Sequence, residues 1–254
     1  MSVANAQQSV GLVQTRIAQI PLPPEGLRLE CGGVLPELQV AYETYGTLSS
    51  AADNAIFVCH ALSGDAHVAG WHSPEDKRPG WWDDMVGPGK GLDTRRFFVI
   101  CANILGGCKG TTGPSSIDPR TGRPYGSRFP PITVGDIVNV HRLLLNHLGI
   151  RKLYAVIGGS FGGMQVLEWG IRHPETVERC ICIASAASLS AQALAFDIVG
   201  REMIVSDPAW AGGDYYETGQ KPADGLAAAR MIGHITYLSP EIMASKFGDR
   251  KSVV

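Results

Sequence analysis

Residues 155–165 read "AVIGGSFGGMQ", and they decide the architecture of the chain. A β-branched apolar run ends in two glycines, a single serine follows, and Phe161 leads into two more glycines and an apolar periodic segment. The pattern predicts a strand, a tight turn and a helix. Gly158-Gly159-Ser160-Phe161-Gly162 fits G-x-S-x-G in the strand-to-helix context that such a turn needs to expose a nucleophile. Gly158 and Gly162 are then required because a Cβ at either position would clash across the turn. The competing reading is an inert glycine-rich turn or a phosphate cradle. A phosphate loop wants G-x-x-x-x-G-K-[ST] or G-x-G-x-x-G, and "GGSFGG" supplies neither.

Outward from this turn the chain alternates. "AIFVCHAL" (residues 55–62) and "RFFVICANIL" (96–105) read as buried strands, and "KLYAVIG" (152–158) and "VERCICIASA" (177–186) as two more. Between them, residues 132–150 read as a helix with a capping box from Thr133 to Asp136. Its stripe is Ile137, Val140, Leu144 and Leu148, and Gly149 stops it. Residues 161–174 read as a second helix ended by Pro174. Strand–helix–strand–helix–strand predicts a parallel sheet with right-handed crossovers. Earlier, residues 27–31 and 37–45 flank "GGVLP" and read as a hairpin. From Ser190 onward only helical patterns remain.

Bulk properties limit the partners. The 254 residues carry a net charge of −2, which gives no reason to expect nucleic acid or an anionic membrane. The first residues show no basic segment followed by an apolar core, so no secretory signal is expected, and no apolar stretch approaches membrane-spanning length. Six scattered cysteines without a CxxC pair read as buried, reduced thiols and not as zinc ligands. A soluble, cytoplasmic protein without a metal is expected.

A serine nucleophile needs an oxyanion hole and a base. The loop "CHALSGDAH" follows the strand at residues 55–59 and is placed to offer the Leu62 amide beside that of Phe161. His60, at the end of a buried strand, reads as hydrogen-bonded structure, with direct chemistry as the alternative. After Ser160 the only histidines are His173, at the far end of the following helix, and His234, within the helical region. Neither follows a strand-then-acid element. The paired tryptophans Trp81 and Trp82 read as pins for their loop, with an aromatic nucleotide platform as the alternative.

"YETYGTL", "CHALSGDAH", "RPGWWDDMVGPGKGLD", "NILGGCKGTTGPSS", "GGSFGGMQ" and "LAAARMIGHITYLS" together resemble the homoserine O-acetyltransferases, in matching order from about Val10 to about Gly248. The resemblance implies an α/β-hydrolase fold: a mostly parallel sheet with helices on both faces and the start of a helical lid. Residues 1–189 would form an incomplete core lacking its last strands, and 190–254 the beginning of the lid. It also implies methionine biosynthesis, with Ser160 as acyl acceptor, and Leu62 and Phe161 as oxyanion-hole donors. Arg230 would grip the homoserine carboxylate, and Tyr237 would line the same pocket. Acetyl-CoA is then a co-substrate with no resident cofactor, and L-homoserine the acceptor. Family members of full length form homodimers. The acid, the base and the aspartate for the substrate amine have no counterparts, so a C-terminally truncated chain with little or no turnover is expected. The alternatives are an O-succinyltransferase, a serine esterase or thioesterase, or a non-catalytic remnant whose uncovered apolar edges invite aggregation.

Overall fold

The computed structural model describes residues 8–248. The readings of the first seven residues and of the chain end after Gly248 lie outside them. The chain divides between Ala187 and Ser188 into two compact units.

The first unit is built on a six-stranded sheet. Its strands are β1 (Arg16–Gln19), β2 (Gln39–Tyr45), β3 (Ala55–Cys59), β4 (Phe98–Ala102), β5 (Ala155–Gly159) and β6 (Cys180–Ile183), in spatial order β1-β2-β4-β3-β5-β6. β1–β2 and β2–β4 are antiparallel, and the pairings of β3 with β4, β3 with β5 and β5 with β6 are parallel. The mostly parallel sheet is therefore present, with an antiparallel edge that the sequence reading did not find. The hairpin expected to join residues 27–31 to 37–45 is smaller. Leu27–Arg28 pair with Val34–Leu35, whereas residues 39–45 join the main sheet. The reason lies in the side chains: Val40, Ala41, Tyr42 and Tyr45 are buried, which requires both faces of that strand to be covered.

Alternate residues of the central strands feed two cores. Phe57 and Cys59 face one core with Ile137, Leu144, Val166 and Trp169 of the two helices, whereas Ile56 and Val58 face another with Val68, Ala69, Val86 and Leu92. Helices were expected on both faces. Within this unit α1 (Val134–His147) and α2 (Phe161–Arg172) pack on one face, and the loop from residue 66 to 92 covers the other. Apolar residues of that loop are buried as deeply as helical ones, so a crossover helix is not needed to seal the face.

α1 starts as its sequence dictates. Thr133 Oγ1 accepts from the Asp136 amide at 3.1 Å, and the Asp136 carboxylate accepts from the Thr133 amide at 3.0 Å. Gly149, at φ +75°, ends it. The thiols depart from expectation: Cys59 and Cys101 are buried, but Cys31, Cys108, Cys180 and Cys182 are exposed. Cys180 and Cys182 are exposed because β6 is the last strand of this sheet, so nothing within the sheet flanks its outer side.

The second unit is helical. α3 (Ala191–Val205) is capped by Ser190 and packs against α4 (Ala223–Tyr237), and α5 (Pro240–Phe247) is capped by Ser239. The Asp207 carboxylate accepts from the Gly225 amide at 2.9 Å, fastening the start of α4 to the end of α3. No helix among the described residues is long and apolar enough to cross a membrane.

Candidate active site

β3 and β5 are neighbours, yet the chain leaves β3 towards β4 on one side and leaves β5 towards β6 on the other. The carboxyl ends of these two strands thus meet where strand order reverses, the usual place for a site in an open α/β sheet. Gly158 lies in register with Cys59. Two residues after Gly158 comes Ser160, and three residues after Cys59 comes Leu62.

Ser160 has φ +55° and ψ −122°, a conformation that non-glycine residues adopt only when their surroundings force it, at a cost of about 1–3 kcal/mol. The forcing contacts are specific. The Ser160 amide donates to the Ile183 carbonyl at 3.1 Å, tying the turn to β6, and the Ser160 carbonyl accepts from Gly163 at 2.9 Å as α2 begins. A Cβ on Gly158 would lie 2.4 Å from the Gly162 carbonyl oxygen, and one on Gly162 would lie 2.1 Å from that of Cys59. Neither glycine has a positive φ, so space and not backbone freedom is what they supply. The result is an exposed serine at the N-terminus of α2, where helix amides favour developing negative charge.

The other parts converge on the same strand ends. Leu62 is 69% exposed and its side chain carries no polar atom, so it can donate only through its backbone amide. Among the described residues, neither the Leu62 amide nor the Phe161 amide donates to a carbonyl or a side chain. Gln165, one turn into α2 and fully buried, donates from Nε2 to the His60 carbonyl at 3.2 Å. It thereby ties the first turn of α2 to the loop that carries Leu62. Gln165 has no role in the G-x-S-x-G pattern itself, and its place one helical turn after Phe161 is the only local signal of this tie.

His60 is buried, and its Nδ1 donates to the Ala61 carbonyl at 2.7 Å. Burial lowers its pKa, which keeps the ring neutral, and its Nε2 has no protein partner. The structural reading of His60 therefore fits its hydrogen bond. His173 sits beyond the last residue of α2, 4.0 Å from Glu175, with twelve helical residues between it and Ser160, which is on the order of 20 Å of helix. Among the described residues, Ser160 Oγ has no side-chain partner.

Arg230 and Tyr237 belong to the second unit. Both lie on α4 and are exposed, Tyr237 at its last residue, and Arg230 makes no ion pair among the described residues. Trp81 and Trp82 stack on each other with ring centroids 5.6 Å apart, and Trp81 Nε1 donates to the Asp65 carbonyl at 2.8 Å. That bond pins their loop. A cavity of about 410 Å³, lined by Gln39, Thr111, Thr112 and Ser116 among others, does not include Ser160, Leu62 or Phe161.

Residues 54–250 match the family described as alpha/beta hydrolase fold. A homoserine O-acetyltransferase of Methanococcoides burtonii is 57% identical over 246 residues, which is 96% of this chain and 49% of that protein. The chain spans about half the length of this and several other curated relatives it matches. Among solved structures, the homoserine O-acetyltransferase of Bacillus anthracis superposes with a TM-score of 0.85 at 32% identity, covering 96% of this chain and 65% of that one. Esterase E22 superposes with a TM-score of 0.85 at 37% identity, covering 93% and 65%.

Proposed function

The chain belongs to the alpha/beta hydrolase fold family, and from that premise we propose that it carries the acyl-transfer site of a homoserine O-acetyltransferase. The observation that carries the reading is the strained Ser160 at the β5–α2 turn, in a chain 57% identical to a relative of that name. Ser160 Oγ attacks the thioester carbonyl of acetyl-CoA and loses its proton. The C–S bond breaks, and CoA leaves as the thiol. The hydroxyl of L-homoserine then takes the acetyl group and returns a proton to Ser160. In each tetrahedral intermediate the oxyanion lies between the amides of Leu62 and Phe161. Losing one such donor costs about a hundred- to a thousand-fold in rate. Arg230 suits the carboxylate of the acceptor because a guanidinium offers a planar, bidentate fork, and Tyr237, two turns along the same helix, lines the acceptor side.

Slow turnover is expected, because among the described residues no histidine of the first unit forms a hydrogen bond with Ser160. The test is acetylation itself. Long incubation with acetyl-CoA should yield one acetyl group per chain on the peptide containing Ser160, with an equivalent of free CoA. Ser160→Ala should give neither. An adduct that persists in Ser160→Ala, or none in the parent, overturns the assignment.

Similarity to esterase E22 favours a second reading, in which water replaces homoserine as acceptor. The acetyl-enzyme separates the two. Clearance accelerated by L-homoserine, with O-acetylhomoserine formed, supports transfer, and clearance at an unchanged rate supports hydrolysis.

A further inference from the structure

On the loop-covered face of the sheet, Glu43 of β2 is completely buried. Its two carboxylate oxygens meet two different imidazoles. Oε2 lies 3.0 Å from His67 Nδ1, and Oε1 lies 2.7 Å from His72 Nε2. The two ring centroids lie 3.8 Å apart with their planes tilted by 33°, and the three donor atoms all fall within 4.8 Å of one another. We propose that Glu43, His67 and His72 form a binding site for a divalent first-row metal ion of the zinc class, outside the acyl-transfer site.

Four features carry this. The donor set of two imidazoles and one carboxylate is the kind that holds zinc with a position left for water. Ligand atoms around a tetrahedral zinc stand about 3.3 Å apart for bonds of about 2.0–2.1 Å, so the two carboxylate–imidazole separations of 3.0 and 2.7 Å need to open by about 0.3 and about 0.6 Å. The carboxylate is also held from behind: Thr15 Oγ1 donates to Oε1 at 2.8 Å and the Tyr45 hydroxyl to Oε2 at 2.7 Å. Such outer donors orient a ligating carboxylate and are what a metal site needs beyond its ligands. Finally, the site opens on a cavity of about 110 Å³ lined by Asp65, Asn103 and Lys109 as well as the three ligands, and the His72 side chain is 44% exposed. An ion and its water can enter there.

The ion would act as a fastener. His67 and His72 lie on the loop that follows β3, and joining them to Glu43 clamps that loop to the sheet five residues after Leu62. The metal-free alternative is a buried carboxylate that accepts four hydrogen bonds and binds no ion.

The experiment uses chelator-treated chain with its exposed cysteines alkylated, so that Cys31, Cys108, Cys180 and Cys182 cannot compete. Titration with zinc chloride should show one ion per chain at micromolar or tighter affinity, with a melting temperature that rises with zinc concentration. Cobalt chloride should give visible d–d bands without thiolate charge transfer. His72→Gln, whose amide can still donate to Glu43, should weaken zinc binding at least about tenfold while its metal-free melting temperature stays near the parent's. His72→Ala should weaken zinc binding as much with a lower metal-free melting temperature, because it leaves the buried carboxylate short of a donor. No saturable zinc binding by the alkylated chain, or binding undiminished by loss of His72, overturns the proposal.

Discussion

At the scale of single residues, the first unit rests on two places where a side chain is excluded and one where a charge is. Gly162 has no room for a methyl group, because its Cβ would meet the Cys59 carbonyl at 2.1 Å and neither backbone can yield alone. Gly162→Ala should therefore destabilise the first unit by about 2 kcal/mol or more, read as a fall in melting temperature of roughly 5 °C. It should also push α2 away from β3, and so reduce acetylation of Ser160. The excluded charge is on His141 of α1. Its ring is fully buried 4.7 Å from that of Phe57, and neither nitrogen has a protein partner. Burial, reinforced by nearby His60, pushes its pKa down to about 3 from 6.5. Between those values the unfolded chain binds a proton that the folded chain refuses, so stability falls as pH drops, by up to about 1.4 kcal/mol per pH unit. His141→Leu removes this contribution. Urea unfolding at pH 7 and pH 5 should show the variant losing about 2 kcal/mol less than the parent, and equal losses would refute the assignment.

At the scale of elements, the strand ends are held in place by a side chain that spans them. Gln165 links the α2 backbone to the His60 carbonyl, while its own Oε1 finds no protein partner. Gln165→Leu loses one or two weak bonds but also removes an unsatisfied buried acceptor, so its melting temperature should change little. The loop carrying Leu62 would be freer, and CoA release should slow by about tenfold, less than the loss of an oxyanion donor itself. A melting temperature that falls in step with the rate would point to a merely structural role. Elements of this kind were legible in the sequence wherever the signal was local. The Thr133–Asp136 capping box, the Gly149 stop and the G-x-S-x-G turn each depend on residues within a few positions of one another. β1 was not legible, because Arg16–Gln19 is a strand only by pairing with residues 39–42, and its own burial is confined to Ala18. The Glu43–His67–His72 cluster was hidden for the same reason: 24 and 29 residues separate its carboxylate from the two imidazoles, and only folding of the loop onto β2 brings them together.

At the scale of the whole molecule, the sheet's last strand sets how the chain behaves in solution. β6 pairs only with β5 among the described strands, all four of its residues are exposed, and Ile181 and Ile183 are each about 40% accessible. An unprotected apolar edge with free N–H and C=O groups is a template for another strand, and natural sheets blunt such edges with charge or cover them. Arg179 does not blunt this one, because its guanidinium lies over the Tyr154 ring, 4.1 Å from the centroid, and pairs with Glu178. Self-association through β6 is therefore expected and should rise with concentration, although Ile183 of the same strand also holds the Ser160 amide through its carbonyl. Ile181→Lys places a charge on the edge without touching Ser160. Its weight-average mass in sedimentation velocity should fall below the parent's at the same concentration. A parent that stays monomeric across the accessible range would show that the edge is shielded, and an equally large Ile181→Lys species would place the contact elsewhere on the molecule.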